Sequence, residues 1–382
     1  MRTPLPVAAS IAQRPGFGGH AWAFLQYALG FRELGYEPVF VDRLSAAMVG
    51  PEHGEEAATR IAVDWFRDVM EFAGLERSSA LLLDDGASVG LGREELRERI
   101  SAAPFLLNVM GFLDEPDLLE AARLRVFLDV DPGFTQLWRE LGQADLLAGH
   151  ERFVTVAGNL GSEGCDIPTC GLEWLTLRPP VVLDRWPAEP TQSRTFSAIG
   201  SLRGPYAPIE LDGQTLGLRV HELRRFAELP GRTAADFRFA LDADPADSRD
   251  TELLRSNGWE LVDPRAVAAS PSAYANFVRS SGAEIGIAKN VYVATNSGWL
   301  SDRSVCFLAS GRPVLCQDTG LGDLVAAGKG LIAFTTPEEA IDGAMSILGE
   351  WERHATAARQ IAEDLFDARK VLGALLDDLG VR

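Results

Sequence analysis

Residues 5–42 read LPVAASIAQRPGFGGHAWAFLQYALGFRELGYEPVFVD, and this run decides the fold. The apolar segment from Leu5 to Ala12 reads as a strand, and Gly16, Gly18 and Gly19 supply a turn behind it. A helix follows from about His20 to Leu34, with Trp22, Leu25, Ala28 and Leu29 on one stripe and Gly35 as its stop. Pro38-Val39-Phe40-Val41-Asp42 is then a short buried strand that ends in a carboxylate. The unit is strand–helix–strand, which places the glycine loop beyond the carboxyl end of the first strand, where open α/β sheets bind ligands.

The same alternation runs on. Helical stretches at Glu55–Ala73 and Arg93–Ala102 separate apolar runs at Ala80–Leu83, Phe105–Met110, Arg125–Asp129 and Phe153–Val156. Short apolar runs between amphipathic segments indicate a doubly wound parallel sheet. From Leu177 to Pro190 four prolines break the rhythm, which marks a linker. A second alternating series begins at Thr195–Ile199, continues through strands at Phe237–Leu241, Trp259–Val262, Ala283–Ile287, Pro313–Cys316 and Gly330–Phe334, and turns helical from Pro337. Asp367 reads as an N-cap and Gly380 as a stop for a last helix. The expected division is residues 1–185, 191–366 and a terminal helix, 367–382, that packs back on the first half.

At 382 residues, 46% hydrophobic and 24% charged, the chain has ordinary globular composition for two domains. A net charge of −19 argues against nucleic acid or anionic lipid as a partner. No signal-peptide pattern and no apolar run of ~20 residues is present, so a cytoplasmic protein without an integral membrane segment is expected. The four cysteines, Cys165, Cys170, Cys306 and Cys316, do not have zinc-site spacing and read as reduced thiols.

Ligand chemistry concentrates at the strand ends of the second series. Ser301 reads as an N-cap with Asp302, Arg303 and Ser304 in the first turn, where free N–H groups and a forked donor suit a phosphate, and Asp302 suits sugar or ribose hydroxyls. The same residues also make an ordinary capped surface helix. Asp318, Thr319 and Gly320 follow the strand ending at Cys316, and Lys289, one of three lysines, follows the strand before it. Arg203, in the loop Gly200-Ser201-Leu202-Arg203-Gly204, is a second candidate cation, and Val262 ends a strand where a base can lie. In the first series the candidates are Gly18, Gly19, His150, Asn159 and His20. A neutral His20 at a helix start is a candidate general base, or a histidine bonded to a backbone group. Asp129 and Asp131, sent to one side by strand alternation, either orient His20, chelate a metal or cap a turn; the orienting or capping roles are favoured.

The runs Ser297-Gly298-Trp299-Leu300-Ser301-Asp302-Arg303-Ser304, Leu308-Ala309-Ser310-Gly311-Arg312-Pro313-Val314 and Gln317-Asp318-Thr319-Gly320 resemble the donor half of GT-B glycosyltransferases. Asp129-Val130-Asp131-Pro132 and Thr176-Leu177-Arg178-Pro179-Pro180 resemble the first domain of a bacterial group among them. The resemblance implies two Rossmann-like domains with parallel sheets facing across a cleft, a nucleotide-diphosphate sugar as donor, and a small-molecule or glycan acceptor. It implies no cofactor and no metal. His20 with Asp131 or Asp129 resembles the histidine–aspartate pair of inverting members. The two glutamates of retaining members are not matched, since only Asp302 stands near one such position. Low lysine with many tryptophans and arginines fits a high-GC source and specialised metabolism. Two rivals use the same residues. Gly16-Phe17-Gly18-Gly19-His20-Ala21 with Asp42 also fits a nicotinamide-binding fingerprint, and a nucleotide-sugar epimerase shares the fold.

Overall fold

The computed structural model describes residues 2–45, 48, 55–211, 213–325 and 328–381. Eight strands form the first sheet: β1 Pro4–Ala8, β2 Glu37–Leu44, β3 Ser79–Leu83, β4 Ser88–Gly90, β5 Leu106–Val109, β6 Arg125–Asp129, β7 Arg152–Thr155 and β8 Trp174–Thr176. Their spatial order is β4-β3-β2-β1-β5-β6-β7-β8, parallel except for the β3–β4 hairpin. The second half contributes β9 Phe196–Ser201, the hairpin β10 Ile209–Leu211 and β11 Gln214–Leu216, then β12 Phe237–Asp242, β13 Glu260–Val262, β14 Ala283–Gly286, β15 Val314–Gln317 and β16 Leu331–Phe334. Six of these make a parallel sheet in the order β13-β12-β9-β14-β15-β16. Counted along the chain this is 3-2-1-4-5-6, the doubly wound order whose direction reverses between β9 and β14. The strands are apolar runs because both faces are covered by helices, as Val314–Gln317 illustrates with every residue buried.

The helix Gly18–Glu33 joins the two halves. The sequence reading gave it one apolar stripe, but it is buried nearly all round, including Phe24, Gln26 and Tyr27 off that stripe. The reason is its position. Trp22 Nε1 donates to the Pro271 carbonyl at 2.8 Å, Gln26 Oε1 accepts from Val182 N at 2.9 Å, and Gly30 lies against Ala368 and Leu372 of the terminal helix Ala368–Asp378. That helix is capped by Asp367, which accepts from Arg369 N at 3.0 Å. Its start is stitched to the proline-rich connection, with Val181 N donating to Phe366 O and Ala368 N to Val181 O. The chain therefore crosses between the sheets twice, at adjacent points.

The glycine loop is part of this seam. A Cβ on Gly18 would stand 2.0 Å from the Ser270 carbonyl oxygen, and one on Gly19 would stand 2.7 Å from the Tyr274 ring. Glycine is needed here because backbone of the second half presses against the loop.

Candidate active site

The carboxyl ends of both sheets open onto one cleft of about 680 Å³. From the first half His20, Phe24 and Tyr27 line it, spaced so that they share one helix face. Met110 and Asp131 follow the ends of β5 and β6. From the second half come Gly200 and Ser201 of β9, then Arg219, Lys289, Tyr292 and the segment Trp299–Arg303.

His20 Nε2 lies 2.7 Å from the Ser10 carbonyl oxygen. A carbonyl only accepts, so Nε2 carries the proton and Nδ1 is the free base nitrogen of the neutral ring. Burial, with the Arg14 cation helping and the Ser10 bond opposing, lowers its pKa to about 4. The ring is neutral at pH 7.

The orienting aspartate expected for His20 is not there: its ring bond goes to a backbone carbonyl instead. Asp129 is fully buried, with Oδ2 accepting from Gln136 Nε2 at 2.6 Å and Thr155 Oγ1 at 3.0 Å, and burial raises its pKa to about 6. Asp131 points elsewhere, into the cleft, where it accepts from Lys289 Nζ at 2.8 and 2.7 Å and from the Tyr292 hydroxyl. β6 stops at Asp129 and a turn re-aims Asp131, so strand alternation does not send the two carboxylates to one side. Their bonds are those of a strut and an interdomain clamp, and among the described residues no group of three metal-ligand side chains comes together.

In the second half the two expected arginines are already engaged. Arg203 is bound to Asp247, Nε to Oδ1 at 2.7 Å, and does not line the cleft. Arg303 lines it, but its guanidinium is shared between Glu284 Oε1 at 2.5 Å and the Ile199 carbonyl at 2.9 Å. The cation the sequence reading missed is Arg219. Its Nε donates to Ile287 O at 3.0 Å and Nη1 to Ser201 O at 2.8 Å, so it bridges the exits of β14 and β9 at the point where strand order reverses. A Cβ on Gly200 would come 2.5 Å from Nη1, which explains the glycine. Arg219 forms no ion pair among the described residues, and burial with Arg303 nearby lowers its pKa to about 10, still protonated at pH 7. Its place at the start of the helix Arg219–Arg225, two residues after Gly217, was the available signal.

Ser301 caps its helix by accepting from Arg303 N at 3.2 Å, and Asp302 lines the cleft with its pKa raised by burial. Ser304 is buried beneath that first turn. The remaining candidates lie outside the cleft. Val262 is the last residue of β13. His150 bonds Asn108 and Leu147 and packs edge-on against Phe127, a structural histidine. Asn159 is a clamp between the halves, donating through Nδ2 to Asn296 O and Gly320 O, both at 2.9 Å. Asp318 accepts from Gly320 N and Leu321 N, and Thr319 Oγ1 donates to Trp299 O. Asn159 and Gly320 border a second cavity of about 730 Å³ behind the Ala157–Trp299 bridge.

The nicotinamide fingerprint is also spent on structure. Asp42 Oδ2 accepts from Ile11 N and Ala12 N, both at 2.7 Å, and Oδ1 from Arg43 N at 2.7 Å; burial still lifts its pKa to about 7. It holds the loop after β1 and has no free oxygen facing a ribose.

No known family's sequence model matches the chain, and no curated protein sequence matches it. Solved structures match it in fold. An alpha-glucosyltransferase (AGT) in complex with UDP is 12% identical over 99% of this chain and 99% of that one, with a TM-score of 0.61. Anabaena Alr3699/HepE in complex with UDP and glucose is 12% identical over 100% of both chains, with a TM-score of 0.58. AviGT4, a glycosyltransferase involved in Avilamycin A biosynthesis, is 12% identical over 99% of this chain and 97% of that one, with a TM-score of 0.55. At such identity the likeness concerns the fold, and the chain has the GT-B fold.

Proposed function

We propose that this GT-B chain is a glycosyltransferase that moves a sugar from a nucleotide-diphosphate sugar to a hydroxyl acceptor. The observation that carries the reading is the charge arrangement in the cleft: Arg219 and Lys289 at the second half's reversal point, opposite a neutral His20. Arg219, which forms no ion pair among the described residues, and Lys289, held in place by Asp131, suit a diphosphate, and a neutral imidazole suits deprotonation of a hydroxyl. That AGT and HepE were solved with UDP supports the same assignment.

In the proposed step the acceptor oxygen attacks the anomeric carbon as its proton passes to His20 Nδ1. The bond from that carbon to the diphosphate oxygen breaks, and the departing negative charge is held by Arg219 and Lys289. A single displacement of this kind inverts the anomeric centre. Asp302, beside them in the cleft, is assigned to sugar hydroxyls. No cofactor and no metal takes part in this scheme. The acceptor is a small molecule or glycan, and AviGT4 favours specialised metabolism as the setting. Among the described residues no helix is long and apolar enough to cross a membrane.

Calorimetric titration with UDP, GDP, dTDP and NAD tests the reading. One of the three diphosphates is expected to bind and NAD is not. Tight NAD binding without any of the three sinks the proposal, and conversion of a donor to its epimer with no acceptor present reassigns the chemistry to epimerisation.

A further inference from the structure

Arg219 opens the helix Arg219–Arg225 and Lys289 lies just beyond β14, yet both segments are tied to one carboxylate that lies outside the cleft lining. Glu222, in the helix Arg219–Arg225, is 3% exposed. Its Oε1 accepts from Asn290 Nδ2 at 2.7 Å, and its Oε2 accepts from Gln317 Nε2 and Arg225 Nη1, each at 2.5 Å. Both amides pass the constraint onward. Asn290 Oδ1 takes the Gly217 N–H at 2.7 Å, and Gln317 Oε1 takes the Ala288 N–H at 3.2 Å. Val291 N donates to Gly217 O at 3.1 Å and closes the ring. Ala288 and Asn290 flank Lys289, and Gly217 lies two residues before Arg219.

We infer that Glu222 is a positioning residue: it sets the spacing of Arg219 and Lys289 and thereby the grip on the diphosphate, as distinct from the nucleoside. The inference rests on the nucleotide-sugar reading above. The chemistry is one of polarity. A carboxylate only accepts, so both amides must turn NH2 toward it and oxygen toward the backbone. Glu222→Gln keeps the shape but sets one NH2 against another. Relief requires flipping Asn290 or Gln317, which leaves the Gly217 or Ala288 N–H without its partner, a costly outcome in a buried site. The two segments then shift, with no cavity created.

The test compares full-length wild type and Glu222→Gln for binding of UDP, GDP and dTDP by calorimetry, and of uridine, guanosine and thymidine by ligand-observed NMR. For the diphosphate that wild type binds, the variant is expected to bind about tenfold more weakly, with the matching nucleoside within about twofold, the size of one lost charge-assisted contact. Equal losses for diphosphate and nucleoside, or no loss of either, overturn the positioning role. If Glu222→Gln fails to fold, Gln317→Met severs only the Ala288 arm and must give the same selective loss; an unselective loss or none overturns the inference. A wild type that binds none of the three diphosphates overturns the donor reading itself, a result separate from any difference between variants.

Discussion

Lys289 Nζ sits 2.7 Å from Asp131 Oδ2, and the two residues come from opposite halves of the molecule. The lysine is also ringed by Phe134, Tyr206 and Tyr292, at 4.9, 5.2 and 5.4 Å from the ring centroids. Burial pulls its pKa down, and Asp131 opposes that fall. One pair thus ties the two halves together across the cleft.

Removing the acid should loosen that closure. Asp131→Asn leaves a largely buried ammonium with ring faces and no anion, and about 2 kcal/mol of stability is expected to go. That corresponds to roughly 4–8 °C in melting temperature for a unit of ~200 residues, read by differential scanning calorimetry. Adding Lys289→Met should recover part of the loss. A double variant that loses the sum of both single effects would show that the two groups are not coupled.

The two arginines predict a contrast. Arg219→Gln should weaken nucleoside diphosphate binding by roughly 10- to 100-fold, the range for losing a charged hydrogen-bonding group. Arg203→Gln should change it less than about twofold, because that side chain is bound to Asp247 and does not line the cleft. Calorimetry on both variants settles the assignment; equal losses would reject it.

His20→Ala should lower turnover by about 10²–10⁴-fold, the span for a general base, while nucleotide affinity stays near wild type. A collapse of affinity would mean that the histidine serves binding.

Acid sensitivity offers a separate handle on the same residue. His20 has a folded-state pKa of about 4 against 6.5 ordinarily, so the unfolded chain takes up the proton first. Its contribution is complete above pH 6.5 and is lost as pH falls toward 4. Asp129, raised to about 6 from 3.8, acts in the opposite sense, its contribution present at low pH and lost as pH rises through 6. The difference between wild type and His20→Gln isolates the histidine: melting temperature in wild type should fall more steeply between pH 6.5 and 4. Parallel curves would place the imidazole in water.

Gly18→Ala should cost about 1–3 kcal/mol, since its methyl would press on the Ser270 backbone and only movement of a whole half relieves it. Gly92→Ala, with open space around the new Cβ, is the control, and both can be read by thermal melting.

Much of the strand and helix order was legible because buried parallel strands write themselves as short apolar runs. Phe237–Leu241 in the sequence and Phe237–Asp242 in the structure differ by one residue. The helices Glu55–Ala73 and Arg93–Ala102 agree at both ends. The β10–β11 hairpin was missed because strands of three residues carry too little periodicity to stand out, and the helix Pro271–Ser280 was missed as well.

The glycine loop, the strand ends and the unusual Lys289 were visible as positions. Their partners were not. Arg203 and Arg219 look alike in sequence, and what separates them is Asp247, 44 residues from one and nowhere near a pair with the other. His20 lost its expected aspartate to Lys289, 158 residues from Asp131. The sequence by itself determined two doubly wound sheets and which loops stand at their carboxyl edges, because backbone pairing and apolar periodicity are local or repeat at short range. Only the tertiary structure decided which charged groups face the cleft unpaired and which are spent on holding it together, because a buried charge seeks whichever counter-charge or carbonyl the folded chain brings within hydrogen-bonding distance.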